Sequence, residues 1–489
     1  MIKFPIPPNI VLPGNITYTL PNFRPGDSQT FDRALGSLVG LTIGDALGAS
    51  VKYRPRQYLI SYPVRDMQAG GSQGLKAGQW TDNTSMALCL ASSLLTQRNF
   101  NPYDQMVRYL WWYKFGYLSS TGYCFNISNA TRDALEEFSH RQKILKRYYH
   151  INNDAEIDQL PLGHVTRVTE FDVNCGTSGV ATNNALVRLA SVPIFYYRNP
   201  ETAVELSGQS ARLTHGDPRA IDACRYLGAL IVAAVRGEQK NSLLSNDFYS
   251  AHQAWFGSKG LHEEVYRVSL GSYKQPQGYE GGLHEEVYRV SLGSYKQPQG
   301  YEGGIRCGTY IIKSLEAALW AFWNDGNSFQ IGVLNVVNLG DDTDSTAAIY
   351  GQLAGAYYGR SSIPIHWTQQ LYAAPLIECI GQWLYVEAHQ IDSSNREQIP
   401  VTMQMQAPTL ATNQQGLEAN NQLRVTQQKT FDIARASVET LDPYRAWRYL
   451  PSPRDMAAGL PSNHNLPKAM PSTSTDWRTF PQTRFNYIN

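Results

Sequence analysis

The sequence lacks several features that would assign a chain to a structural class at once. Its 489 residues contain no apolar run near the roughly 20 residues that cross a bilayer. Its six cysteines include no Cys-x-x-Cys pair, which argues against a zinc site and against a small disulfide scaffold. Lysine and arginine total 42 against 41 acidic residues, so no broad basic field favours nucleic acid. We therefore expect a globular protein without a membrane or nucleic-acid partner.

The amino-terminal stretch also lacks a charged segment followed by an apolar one, which a secretory signal would need. Scattered prolines predict that residues 1–30 form an extended arm instead. The sequence indicates an intracellular, cytoplasmic protein.

Helical spacing of apolar residues recurs along the chain, whereas alternation with a period of two is scarce. Two such runs are Ile311, Ile312, Leu315, Ala318, Leu319 and Phe322, and Ile221, Cys224, Gly228, Ile231, Val232 and Val235. The pattern predicts an all-α protein.

Two short polar segments, far apart in the chain, each come just before a helical run. The first is WTDNTSM at residues 80–86, and the second is GDDTDST at residues 340–346. Carboxylates and hydroxyls at a helix start lie beside unpaired backbone N–H groups and can point outward together. If the two segments meet in the fold, they form an oxygen-only cage suited to Mg²⁺.

Helix capping is the alternative explanation, because Asp, Asn, Ser and Thr are ordinary N-cap residues. A cap needs one such residue, however, and Asp341, Asp342 and Asp344 fall within four positions. Like charges this close repel unless a cation offsets them, which favours metal binding. The small residues that follow, Ala347, Ala348, Gly351, Ala354 and Gly355, predict a helix that packs very close to a neighbour.

Four motifs occur in a fixed order along the chain. They are Gly44-Asp45-Ala46-Leu47-Gly48, Gly78-Gln79-Trp80-Thr81-Asp82-Asn83-Thr84, Thr214-His215-Gly216-Asp217-Pro218 and residues 340–348. Together they resemble the ADP-ribosylglycohydrolase family over about residues 31–367. The resemblance implies an all-α, orthogonally packed domain over residues 31–388, with two Mg²⁺ ions, or Mn²⁺, at the mouth of a cleft. These ions would grip the ribose of an ADP-ribosyl group.

The resemblance also implies roles for single residues. The metal ligands carried over are Thr81, Asp82, Asp342, Asp344 and Ser345. Asn83 is added to them, because an amide carbonyl can still coordinate a hard cation. Asp82 or Asp342 would act in catalysis by accepting a proton from the attacking water. Asn183 and His215 would contact the substrate. Apart from the resemblance, the glycine-rich loop that ends at Gly74 could lend backbone N–H groups to the pyrophosphate. A lone histidine before a helix is commonly a cap or core residue, and that alternative stays open.

The chain departs from the family pattern at three places. Asn83 stands where a second aspartate is usual, which should weaken binding of the second Mg²⁺ ion. Lys52 stands where many relatives carry a glutamate, and a neighbour such as Asp45 or Asp66 would have to supply the missing carboxylate. The family's glycine-flanked asparagine loop, which lies against the bound nucleotide, reads here as Thr182-Asn183-Asn184-Ala185. Only Asn183 is kept, and the side chains in place of glycine could obstruct close approach of the backbone to the nucleotide.

The implied activity is hydrolysis at the anomeric carbon of the ribose, which releases ADP-ribose from a modified protein or small molecule. The alternative is a degenerate relative that binds ADP-ribose or a nucleotide, or serves a structural role, without turnover. The acceptor linkage, whether arginine, serine or another, does not follow from the sequence, and neither does the oligomeric state.

An unusual feature lies before the Ile311 run: the 22 residues 260–281 recur without a change at 282–303. Two copies are too few for a stacked repeat array, which leaves a recent duplication or an error in the gene model. The family resemblance needs one copy, so we expect the other to bulge from the surface at little cost. The last segment, residues 389–489, is polar and rich in Gln and Pro. It predicts a flexible tail with one short helix around residues 431–441.

Overall fold

The computed structural model describes residues 2–258, 260–269, 300–301 and 304–394. Among these residues the chain is helical, and β-structure is limited to isolated bridges, so the all-α prediction is confirmed. None of the described helices combines the length and the apolar composition needed to cross a bilayer. Residues 389–394, predicted as the start of the tail, instead continue the last described helix, which ends at Ser394. The rest of the predicted tail, with its short helix around residues 431–441, lies outside the described residues.

The α-helices are α1 (Ser28–Ala49), α2 (Arg56–Ser61), α3 (Asp82–Gln97), α4 (Pro102–Phe115), α5 (Asn129–Tyr149), α6 (Asp154–Asp158), α7 (Leu162–Val165), α8 (Ser191–Tyr196), α9 (Pro200–Arg212), α10 (Pro218–Val235), α11 (Lys240–Leu243), α12 (Phe248–Ala251), α13 (Glu263–Ser269), α14 (Ile311–Trp323), α15 (Phe329–Val337), α16 (Thr343–Tyr358), α17 (Ile365–Gln370) and α18 (Ala374–Ser394). Short 3₁₀ helices lie at Pro13–Asn15, Asn183–Ala185, Gln253–Phe256 and Arg360–Ser362.

Helices α1 and α16 are in direct backbone contact. A Cβ on Gly40 would lie 2.3 Å from the carbonyl oxygen of Gly351, and one on Gly44 would lie 2.1 Å from that of Ala347. Only a hydrogen atom fits in such a space. The two helices can approach this closely because α1 has glycine at the contact positions. The predicted close packing of residues 347–355 is confirmed, and the neighbour is α1. The four facing pairs are Gly36 with Gly355, Gly40 with Gly351, Gly44 with Ala347, and Gly48 with Asp344.

The helices predicted from apolar spacing surround this pair. Helices α10 and α14 contain the two apolar runs, are buried along most of their length, and pack against α16. Helix α3 packs along α4, and α9 packs along α10. Their apolar faces form one continuous core, which fixes the positions of the helix ends that carry polar residues.

The extended arm lies against the helical body. The N–H of Lys3 donates to the carbonyl of Thr17 at 3.0 Å, and Ile2 and Ile16 are buried. The indole N–H of Trp383 on α18 donates to the carbonyl of Thr19 at 2.9 Å. The arm is therefore a packed part of the protein.

The described part of the duplicated segment comes from the start of the first copy and the end of the second. In the first copy, Val265 and Val268 of α13 are buried, and the N–H of His262 donates to Asp222 Oδ2 at 2.6 Å. At the end of the second copy, the carbonyl of Gly300 accepts from the N–H of Ile305 at 3.1 Å. Residues 270–299 lie outside the described residues, so the expected surface bulge stays a prediction.

Candidate functional site

The two acidic segments lie side by side at the starts of α3 and α16. Thr81 is the N-cap residue of α3, and Asp342 is the N-cap residue of α16. The Thr81 hydroxyl oxygen lies 3.2 Å from Asp344 Oδ2, across 263 positions of sequence. Asp82 and Asn83 are buried beside this contact, in the first turn of α3. The fold therefore brings the predicted ligand residues of both segments into one buried cluster.

Asp45 of α1 holds the first segment by capping α3 from outside. Its carboxylate accepts from the backbone N–H groups of Thr81 and Thr84 at 3.1 and 3.0 Å, and from their hydroxyls at 2.7 and 2.6 Å. Asp66, by contrast, is exposed and accepts from the indole N–H of Trp367 at 2.6 Å. Because Asp45 is committed to capping and Asp66 to this outer contact, neither supplies the missing carboxylate.

The second segment is fixed by the end of α1 and the loop after it. A Cβ on Gly48 would lie 2.4 Å from the Cα atom of Asp344, so α1 touches the start of α16. The N–H of Tyr53 donates to the carbonyl of Asp341 at 2.6 Å, and the N–H of Asp341 donates to the carbonyl of Arg54 at 2.9 Å. These contacts hold the loop and the second segment in a fixed register.

Lys52, in the same loop, places its ammonium group among the carboxylates. Its Nζ atom lies 2.9 Å from Asp344 Oδ2 and 3.5 Å from Asp342 Oδ1, and its side chain is 6% exposed. Burial opposes the charge, but Asp344, Asp342 and Asp82 outweigh burial and raise the pKa of Lys52 well above its ordinary value. Lys52 therefore does more than remove the carboxylate that is usual at this position: it places a buried positive charge within the cluster.

Three side-chain oxygens of the cluster are buried and have no hydrogen-bond partner among the described residues: Asp82 Oδ1, Asn83 Oδ1 and Asp344 Oδ1. Burial raises the pKa of Asp82 to about 8 and that of Asp344 to about 7, although Lys52 acts in the opposite direction on both. A buried oxygen without a partner is costly, and oxygens of this kind are the ligands of hard cations. The chemistry of these three oxygens suits a divalent ion.

Asp342 is already held by protein donors. Its Oδ1 accepts from the Ser345 hydroxyl at 3.0 Å, and its Oδ2 accepts from the Asn183 amide at 2.7 Å. In the described part of the chain, no three His, Cys, Asp or Glu side chains converge as a metal site by themselves. An ion in this cluster would therefore also need amide or hydroxyl oxygens, such as those of Asn83 and Thr81.

The cluster opens into a cleft of about 440 Å³. Asp342 and Ser345 line it, together with Lys52, Tyr53 and Asn183. The volume lies within the range of small-molecule sites, roughly 300–1,000 Å³. The lining of the cleft thus combines carboxylate, hydroxyl and aromatic groups that a polar ligand could contact.

Sequence reasoning missed Tyr53 and the segment 126–130, which also lines the cleft. Tyr53 leaves 56% of its surface exposed, and its only signal in the sequence is its place beside Lys52. In the missed segment, Ser128 caps α5 by accepting from the N–H of Thr131. That cap could have located a helix start but not the cleft, because the approach of α5 depends on tertiary packing.

The three predicted substrate contacts are placed differently. Asn183 lines the cleft, whereas Gly74 lies in an exposed turn and is absent from the lining. His215 is fully buried behind the cleft, where its ring nitrogens lie 2.8 Å from the hydroxyls of Thr182 and Thr214. Burial lowers the pKa of His215 to about 3, so the ring is neutral. Thr182 and Thr214 line the cleft themselves, and direct contact by His215 or Gly74 stays a prediction.

A sequence profile described as ADP-ribosylglycohydrolase matches residues 26–394. The chain belongs to the ADP-ribosylglycohydrolase family. The resemblance predicted from its motifs is thereby confirmed. Membership and the names of its relatives indicate an ADP-ribosylglycohydrolase, an enzyme that hydrolyses a glycosidic bond.

Two relatives in the family carry specific names. ADP-ribosylarginine hydrolase Tri1 of Pseudomonas putida (strain GB-1) is 32% identical over 364 residues, which cover 74% of this chain and 81% of the relative. ADP-ribosyl-[dinitrogen reductase] glycohydrolase of Rhodospirillum rubrum is 25% identical, with 70% of this chain and 90% of the relative covered. Among solved structures, a chain titled ADP-ribosylglycohydrolase-related protein complex matches with a TM-score of 0.54 and 33% identity. The match covers 74% of this chain and 100% of that one.

Proposed function

We propose that the protein is a Mg²⁺-dependent hydrolase that releases ADP-ribose from an ADP-ribosylated arginine side chain of a modified protein. The observation that carries the proposal is the buried acid cluster that opens, through Asp342 and Ser345, into the cleft. The arginine linkage is proposed because the Pseudomonas putida relative is named for it and is 32% identical.

The residues of the cluster suit cleavage at the anomeric carbon, where positive charge builds on the ribose ring in the transition state. Asp82, Asn83 and Asp344 would hold the divalent ion, because they carry the unpartnered oxygens. When bound, the ion would fix the ribose hydroxyls and lower the pKa of a nearby water. Mn²⁺ would serve the same ligands, since both ions accept oxygen donors.

Asp342 is the residue that we propose accepts a proton from the attacking water. Its carboxylate is oriented by Ser345 and Asn183, and it lines the cleft, where water and substrate would meet it. Asp82 was the other candidate, but it is absent from the cleft lining. The geometry therefore favours Asp342 as base and Asp82 as ligand.

Asp342→Asn should lower the rate of ADP-ribose release from an arginine-ADP-ribosylated protein by about 100-fold or more, because a positioned base contributes roughly 10²- to 10⁴-fold. Free ADP-ribose is measured by chromatography in Mg²⁺, with and without a chelator. Asp341→Asn is the matched control: its φ of 60° suits asparagine, and Asp341 is absent from the cleft lining. The control should keep its activity.

A wild-type protein that releases no ADP-ribose from arginine, serine or small-molecule conjugates would contradict the proposal. The buried Lys52 favours one second candidate, a relative that binds ADP-ribose without turnover. In that case ADP-ribose should raise the melting temperature while every conjugate stays intact. A structural role would give neither response.

A further inference from the structure

We propose that the ammonium group of Lys52 is a built-in cation of the acid cluster, so that the cluster binds one divalent ion where two were expected. The inference rests on the proposed metal site and assigns Lys52 the place of the second ion. Lys52 becomes a positioning residue for Asp342 and Asp344, which it contacts.

The backbone of Lys52 is anchored on both sides. Val51, directly before it, is buried, and its N–H donates to the carbonyl of Gly48 at 3.1 Å. Tyr53, directly after it, donates through its N–H to the carbonyl of Asp341 at 2.6 Å. With its backbone anchored to α1 and to the second acidic segment, Lys52 has few ways to leave the cluster.

Asp45 is a fourth buried carboxylate beside the cluster, but its charge is met by four hydrogen bonds at the N-terminus of α3. The other charges of the cluster balance with one divalent ion. Asp82, Asp342 and Asp344 are buried together and, when ionised, repel one another. Lys52 offsets one of these three charges from inside the protein. Two negative charges then remain, which is the charge that one Mg²⁺ or Mn²⁺ ion neutralises. A second divalent ion would add positive charge beside an ammonium that already contacts the same carboxylates, and like charges at this range repel.

The unpartnered oxygens mark where the single ion would bind. Asp82, Asn83 and Asp344 each keep one buried side-chain oxygen without a hydrogen-bond partner among the described residues. Both oxygens of Asp342 instead lie within 3.5 Å of protein donors, namely Lys52, Ser345 and Asn183. The oxygens of Asp82, Asn83 and Asp344 are therefore available to bind an ion, whereas both oxygens of Asp342 already contact protein donors.

The test of this inference measures how many divalent ions each chain binds, and it does not depend on catalytic activity. Mn²⁺ is titrated into the full-length protein, and free and bound ion are separated by electron paramagnetic resonance. Wild type should bind one Mn²⁺ per chain. Lys52→Met, which keeps the length of the side chain but removes the charge, should bind two, because the carboxylates lose their internal cation. Lys143→Met, at an exposed position of α5, should bind one.

Two results would overturn the inference: a wild type that binds two ions or none, and a Lys52→Met variant that binds no more than wild type. Circular dichroism checks that each variant is folded. If Lys52→Met does not fold, Lys52→Glu is titrated after refolding in Mn²⁺, and a count of one again rejects the inference. ADP-ribose release is measured separately. A wild type that binds one ion but cleaves no conjugate rejects the proposed hydrolysis and leaves the ion count standing.

Discussion

Glu316 of α14 is a buried acid whose titration should be visible in the stability of the protein. Its side chain is almost fully buried, and its Oε1 atom has no hydrogen-bond partner among the described residues. Burial raises the pKa of Glu316 from 4.5 to about 8. Between these values the folded protein holds a proton that the unfolded chain releases. This contribution to stability is therefore complete below pH 4.5 and is lost as the pH rises towards 8.

Glu316→Gln keeps the shape of the side chain and removes its titration. The melting temperature of the variant should be close to that of wild type at pH 5 and should exceed it by several degrees at pH 8.5, because only wild type then ionises a buried group. Thermal denaturation across this range checks the difference. Glu170→Gln, at an exposed position, should show the same offset at every pH. An offset for Glu316→Gln that does not change with pH would contradict the assignment.

At this scale the sequence predicted which residues the acid cluster contains but not how Lys52 acts. The density of Asp341, Asp342 and Asp344 is a local signal of a cation requirement. The reach of Lys52 into the cluster depends instead on backbone contacts between residues 53–54 and 341, which are nearly 290 positions apart in the chain. From residue type alone, lysine at position 52 signals only that a carboxylate has been lost. Its position in the fold shows that its ammonium group lies among the remaining carboxylates.

The contact between α1 and α16 is the element on which the site depends most. Glycine at every fourth position of α1 lets the backbones touch, and the last of these contacts is Gly48 against Asp344. A side chain in this stripe must push the two helices apart. Displacement of α16 would move Asp342 and Asp344 away from Lys52.

Gly44→Ala should destabilise the protein by about 1–3 kcal/mol, as overpacked cores do, and should lower ADP-ribose release. Its new Cβ would lie 2.1 Å from the carbonyl oxygen of Ala347. Urea denaturation gives the change in the free energy of unfolding. Gly163→Ala is the matched control, because nothing lies within 4 Å of its Cβ position. The control should be neutral or slightly stabilising, and an equal loss in both variants would show that close packing is not the cause.

The helices themselves follow from apolar spacing, and both acidic segments start helices as their composition predicts. The pairing of α1 with α16 was only half predicted. The small residues after position 346 predict that α16 packs close to another helix. They do not identify α1 as that helix, because glycines within α1, taken by themselves, indicate only weak helix formation. Their spacing of four is the signal that could have identified the partner face.

At the scale of the whole molecule, the duplicated segment offers a test that needs no choice between copies. Deleting residues 260–281 or 282–303 gives the same chain, since the copies are identical. The single copy would still supply α13 before residue 270 and the Gly300 contact after it. Deleting 22 residues shortens the loop at residues 270–299 from 30 to 8 residues, which changes its closure free energy by only about 1 kcal/mol. The melting temperature should therefore shift by no more than a few degrees.

Differential scanning calorimetry measures that shift. Val265→Asp in the single-copy chain is the control, because Val265 is buried, and it should lower the melting temperature strongly. A large drop on deletion alone would show that both copies contribute packing.

The family fold and the order of its motifs could be predicted from the sequence across residues 31–367, since the motifs are local. The packing of the arm could not be predicted, because Ile2 and Ile16, two of its buried residues, are ordinary apolar residues among prolines. Such docking depends on a surface that exists only after the helices have assembled.

The acids and the lysine that compose the cluster come from residues 45–84 and 342–345, and the helices that carry them touch one another directly. The connection between those two stretches can therefore change length while the reactive groups keep their spacing. An extra 22 residues at 282–303 of that connection therefore need not alter the distances between the acids and the lysine.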